Sequence, residues 1–143
     1  MRRYYYDNWL AKLLLKFSTC HTITFAWFVL SKRKRCEVYQ YVETHETIHA
    51  MQWTEVTVAS GLILLALQFY FEFNPLWLLL AGVIYYVLYV LEWLFKLPFG
   101  NAYRSISFEQ EAYNNECDND YCEKRPLFSG WTNKVFTIKK NNN

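Results

Sequence analysis

Val56 to Phe73, VTVASGLILLALQFYFEF, is a run of 18 residues with no Lys or Arg and one Glu near its end. Leu76 to Phe95, LWLLLAGVIYYVLYVLEWLF, is a run of 20 with a single Glu, again near the end. At the helical rise per residue these are roughly 27 and 30 Å long, enough to cross a hydrocarbon core. Asn74 and Pro75 alone separate them, a helix-breaking turn. The pattern predicts a transmembrane helical hairpin over residues 56–95 whose outer ends emerge on one side. The competing reading is a buried hairpin in a soluble fold. A chain of 143 residues has too little remaining sequence to cover two such helices all round.

The rest of the composition agrees. Hydrophobic residues make up 53% and aromatics 20%, while the mean hydropathy of -0.09 averages an apolar middle with polar ends. A net charge of +2 argues against a nucleic-acid partner held by bulk charge. The four cysteines (Cys20, Cys36, Cys117, Cys122) form no CxxC, and free thiols in a reducing compartment are expected. Basic residues flank the open ends of the hairpin: Arg2, Arg3, Lys12, Lys16, the run Lys32-Arg33-Lys34-Arg35, Lys96, Arg104, Lys124 and Arg125. The turn has none. The positive-inside rule then predicts a cytoplasmic-membrane protein with all but the turn on the cytoplasmic side, its basic run touching anionic headgroups.

Working outward, residues 1–21 are expected to form an interfacial helix with Trp9, Leu10, Leu13, Leu14 and Phe17 on one face. Residues 22–42 read as a strand pair, Thr22 to Leu30 and Glu37 to Val42, joined through the basic run. A short third transmembrane helix over Cys20 to Leu30 is the alternative, although 11 residues are too few to span. Residues 101–128 hold a second helix after the hairpin, and 129–143 a polar tail. The whole is one domain of an α+β membrane protein. Tyr85, Tyr86, Tyr89 and Trp93 on the second span suit a dimer face or lipid contact, which leaves the oligomeric state open.

Chemistry concentrates at His45-Glu46-Thr47-Ile48-His49, an HExxH within the predicted helix 43–55. Histidines at i and i+4 share a helical face and can offer two imidazole nitrogens to one zinc ion. The intervening Glu46 points about 100° around the helix, toward the place of an attacking water. With three histidines and ten glutamates in the chain, chance produces such a motif in well under one percent of shuffled sequences. The plainer reading is a polar helix start, with Thr44 as N-cap.

A catalytic zinc needs a third protein ligand and an open position. Candidates downstream are Glu55, Glu92, Glu109 and Glu111. Glu109 stands out because Ala112 follows one turn later and would let the two helices approach closely, while Glu111 points about 200° away from it. Gln52 and Glu55 lie on the side of the helix that carries His45, where either could orient an imidazole or meet substrate, or equally face headgroups at the membrane entry. Tyr103, Tyr113 and Arg125 could stabilise an oxyanion.

His45-Glu46-x-x-His49 followed by Glu109-x-x-Ala112 resembles the integral-membrane zinc peptidases of the HtpX and CAAX-prenyl-protease type, the gluzincin group. The segments from His45 to Glu55 and from Ala102 to Tyr113 are similar to those of a family of small bacterial membrane proteins described as metallopeptidases. The resemblance covers residues 22–128. It implies His45, His49 and Glu109 as Zn2+ ligands and Glu46 as general base, with the transmembrane hairpin inserted between the HExxH helix and the Glu-ligand helix. Tyr113 departs from it, because better-known members carry there an Asp that supports a zinc-bound histidine.

The expected function is an integral-membrane zinc metalloendopeptidase whose partners are the lipid bilayer and a peptide or membrane-protein substrate, with no nucleic acid. Two rivals are a zinc hydrolase of a non-peptide bond and a non-catalytic membrane protein with a structural zinc.

Overall fold

A computed structural model describes residues 3–16, 20–72, 74–97 and 100–132. It is an α+β protein: β1 (Arg3–Tyr5), α1 (Trp9–Leu14), β2 (Thr22–Phe25), β3 (Phe28–Ser31), α2 (Gln40–Phe71), α3 (Ala81–Lys96), α4 (Ala102–Ser105), α5 (Ser107–Asn115) and α6 (Tyr121–Lys124). The chain divides into two compact units, Met1–Met51 with Ala112–Arg125, and Gln52–Glu111 with Pro126–Asn143. Helices α2 and α5 each run unbroken through the division.

In the first unit a three-stranded sheet has the order β1-β3-β2, with β1 parallel and β2 antiparallel to β3. Phe25 pairs with Phe28 across the two-residue turn Ala26-Trp27. Ala26 takes φ 54°, the positive value that lets so short a turn follow the right-handed twist of the strands. Asn8 caps α1 by accepting from Leu10 N at 2.8 Å, and α1 packs on β3 with Ala11 and Leu15 buried. Tyr4 of β1 and Tyr6, just beyond the strand, both reach the start of α2. The Tyr4 hydroxyl donates to Glu43 O (2.9 Å), and Tyr6 donates to Glu43 Oε1 (2.5 Å).

The sheet corrects the expected strand pair. Its hairpin is Thr22–Phe25 with Phe28–Ser31, and the basic run lies beyond it rather than at its turn. Glu37 to Val42 is no strand: Arg35–Glu37 is a 3-10 turn, and Glu43 N donates back to Tyr39 O as the helix opens. Residues 20–30 are not helical either. The N-terminal helix is six residues long; Trp9, Leu10, Leu13 and Leu14 are exposed on it, while Phe17 lies outside the described residues. The expected tail is described only as far as Thr132.

In the second unit α2 and α3 pack through small residues. Ser60 Oγ donates to Ala81 O (3.3 Å) and Trp53 Nε1 to Gly82 O (3.0 Å). A Cβ on Gly82 would stand 3.5 Å from the Trp53 ring, an ordinary van der Waals contact. Asn74 caps the 3-10 turn Pro75–Leu80 that leads into α3. Gln40–Phe71 and Pro75–Lys96 are both long and apolar enough to cross a membrane, and only 6% and 11% of their most apolar windows is buried. The expected boundary between an HExxH helix (43–55) and the first span does not exist. No Gly or Pro stands between Gln40 and Ser60, so one 32-residue helix carries both.

Candidate metal centre

His45 and His49 project from the same face of α2 with their Nε2 atoms 3.2 Å apart. Their rings meet edge to face at 4.8 Å. Glu116, just beyond α5, accepts from His45 Nδ1 at 2.9 Å. With that nitrogen protonated, the lone pair of the neutral imidazole sits on Nε2, where a metal would need it. Tyr113 packs its ring edge-on against His45, centroids 4.8 Å apart. The residue that departs from the peptidase pattern therefore contributes packing, and Glu116 supplies the carboxylate.

Glu46 turns toward the sheet. Thr22 and Thr24, on one face of β2, donate to its Oε1 (2.8 Å) and Oε2 (2.5 Å). Two hydroxyls thus hold both oxygens of the carboxylate, and Thr24 is also bonded to the Glu46 carbonyl at 3.2 Å. Thr44, the expected N-cap, lies inside α2 and donates to Gln40 O instead.

The start of helix α5 is held from two points in the second unit. Glu92 of α3 accepts from Ser107 N (2.9 Å), Ser107 Oγ (2.6 Å) and Lys96 Nζ (2.5 Å), which fixes the start of the helix. Gln52 of α2 donates to Phe108 O and to Glu111 Oε2, both at 3.0 Å, and accepts from the Tyr85 hydroxyl at 3.2 Å. Ala112 is fully buried. Glu109, 2% exposed, accepts from the Tyr89 hydroxyl at 2.7 Å. Glu55, expected near the histidines or the substrate, instead accepts from Phe128 N (3.2 Å), and Arg125 is half-buried just past α6.

One ligand atom each from His45, His49 and Glu109 lies within 4.8 Å of the others, and among the described residues this is the group that could hold a metal ion. Ligands at about 2.0–2.2 Å around a tetrahedral zinc stand about 3.3 Å apart, a spacing that the histidine pair matches. Glu111, the alternative third ligand, is engaged by Gln52.

No protein-family model, curated protein or solved structure matches this chain.

Several residues of this neighbourhood escaped the sequence reading. Glu116 had a signal, since it stands seven residues after Glu109 on the same helical face. Thr22 and Thr24 had only the alternation of a strand. Tyr85 and Tyr89, expected at a dimer face or against lipid, face inward, with Tyr85 only 5% exposed.

Proposed function

We propose that this chain is an integral-membrane zinc metallopeptidase that cleaves membrane-associated or juxtamembrane peptide segments. The observation that carries the proposal is the pair of imidazole Nε2 atoms 3.2 Å apart on the HExxH helix, with Glu109 in the same cluster. Zinc held there would supply Lewis acidity to a scissile carbonyl. Glu46 takes the proton of the attacking water and passes one to the leaving amine, while Thr22 and Thr24 keep its carboxylate in a fixed rotation. His45 and His49 are ligands, the first supported by Glu116. Strand β2 is an edge of the sheet, so an extended peptide can add to it next to Glu46. The reading places the apolar part of α2 and Pro75–Lys96 across the bacterial cytoplasmic membrane as a hairpin that leads from the histidines of α2 to Glu109 of α5, with the basic flanks and the site on the cytoplasmic side.

One observation favours a second reading. Both oxygens of Glu46 are engaged by threonines, which also suits a brace between α2 and the sheet in a protein whose zinc is structural. The Glu46→Gln variant separates the two. A peptidase keeps its zinc and loses cleavage of a quenched-peptide or casein substrate, whereas a structural protein keeps both metal and phenotype. His49→Ala and Glu109→Ala should each lose about one zinc per chain in detergent-purified protein. Lipid-ester hydrolysis without proteolysis would move the activity to a non-peptide bond.

A further inference from the structure

We infer that Tyr89, in the middle of the second apolar helix, is a positioning residue for the metal centre and acts through Glu109. The inference rests on the metal reading above. The Tyr89 hydroxyl donates to Glu109 Oε1 at 2.7 Å, and Tyr103 is a further hydrogen-bonding neighbour of that hydroxyl. The Tyr89 ring lies parallel to Phe108, the neighbour of Glu109 in sequence, with centroids 6.4 Å apart and planes 4° apart, and it also meets Tyr85 at 6.3 Å. A ring held on two sides aims its hydroxyl at one place, which fixes the rotation of the carboxylate about its own axis. The bond is made by a neutral donor. The carboxylate it holds is 2% exposed.

The alternative is that Glu109 merely satisfies a phenol that would otherwise be buried in an apolar helix. The two differ in what loss of the hydroxyl does. Tyr89→Phe removes one oxygen and keeps the ring on Phe108. If Tyr89 positions Glu109, the variant changes how the metal is held; if it only satisfies itself, the variant changes folding stability alone.

The test uses full-length protein purified in detergent and titrated with Zn2+ against a chromophoric chelator, with Co2+ as spectroscopic probe. Wild type, Tyr89→Phe, Glu109→Ala and the double variant are compared, with Tyr70→Phe on the other apolar helix as control. The expected result is a zinc affinity reduced about 10–100-fold in Tyr89→Phe. Its visible cobalt spectrum should be altered, and no further loss should follow when the exchange is made in Glu109→Ala. Tyr70→Phe should match wild type. Wild-type affinity and cobalt spectrum in Tyr89→Phe, beside a Glu109→Ala that loses metal, would overturn this inference and leave the metal centre standing. Wild-type protein that binds no metal, or a Glu109→Ala that binds as tightly, would overturn the metal reading and this inference with it. Thermal midpoints of the metal-free proteins report folding. Tyr89→Met, which also lacks a donor, takes the place of the Phe variant if that protein does not fold, with the same outcomes.

Discussion

Glu116 Oε2 lies 2.9 Å from Nδ1 of His45, so a carboxylate 71 residues away in sequence sets the tautomer of the first histidine of the HExxH helix. Glu116→Ala should lower zinc affinity about 10–100-fold while leaving the protein folded, and Glu116→Asp should recover part of it. Chelator competition on the purified variants measures this; an unchanged affinity would show that His45 needs no carboxylate.

Thr22 and Thr24 hold Glu46 without touching either histidine. Changing both to Val should leave zinc content at the wild-type level and reduce kcat for peptide cleavage about tenfold or more, with little change in KM. A charge-assisted hydrogen bond contributes about 1.5–3 kcal/mol, and two are lost. The double Ser variant keeps both hydroxyls and should stay close to wild type. Steady-state kinetics beside metal analysis distinguishes lost alignment from lost metal.

Gln52 is a structural hub, 1% exposed, bonded to Phe108 O, Glu111 and Tyr85. Gln52→Leu keeps the bulk but strips partners from a buried carboxylate and a buried phenol. The expected destabilisation is about 3 kcal/mol, since each buried polar group left without its bond costs about 1–3 kcal/mol. A drop in the thermal midpoint of the detergent-solubilised protein checks it; a midpoint at the wild-type value would assign Gln52 no structural role.

Tyr6 supplies a pH dependence. Burial, then the hydrogen bond to Glu43 and its negative charge, push the phenol up from 10.0 to about 12. Above pH 10 an unfolded tyrosine releases a proton that the folded one retains, so stability falls as pH rises through this window. The contribution of the Tyr6–Glu43 bond is full below pH 10 and is lost between pH 10 and about 12. Tyr6→Phe should be less stable than wild type below pH 10, with the difference shrinking across that interval. Thermal midpoints of both proteins along an alkaline series decide it, and parallel curves would remove Tyr6 from the account.

The interior of the hairpin shows where a sequence pattern stops being informative. Tyr85 and Tyr89 sit among Leu, Val and Ile, and nothing local separates a tyrosine facing lipid from one facing a carboxylate on another helix. Sequence spacing puts both on one stripe of α3, and the bonds to Gln52 and Glu109 identify that stripe as the inner one. Glu92 is shared by Lys96, four residues on, and the start of α5.

Glu109 and Glu111 make the case at the candidate site. Both are carboxylates on one short helix, both are buried, and their spacing alone put them on different faces without saying which face meets the histidines. Gln52 takes Glu111, and that bond sets the rotation of α5 that leaves Glu109 in the cluster.

By itself the sequence determined what depends on near neighbours: two apolar runs long enough to cross a membrane, a turn at Asn74-Pro75, and two histidines on one helical face. Helical geometry and hydrophobic length are local, so these follow from order alone. Only the tertiary structure decided that one helix carries both motif and span, and that the strand pair ends at Ser31. The same holds for Thr22, Thr24, Tyr89 and Glu116 as the residues that hold Glu46, Glu109 and His45. Those contacts close over separations of 20 to 71 residues, where the energy of a bond rests on packing geometry that no local pattern encodes.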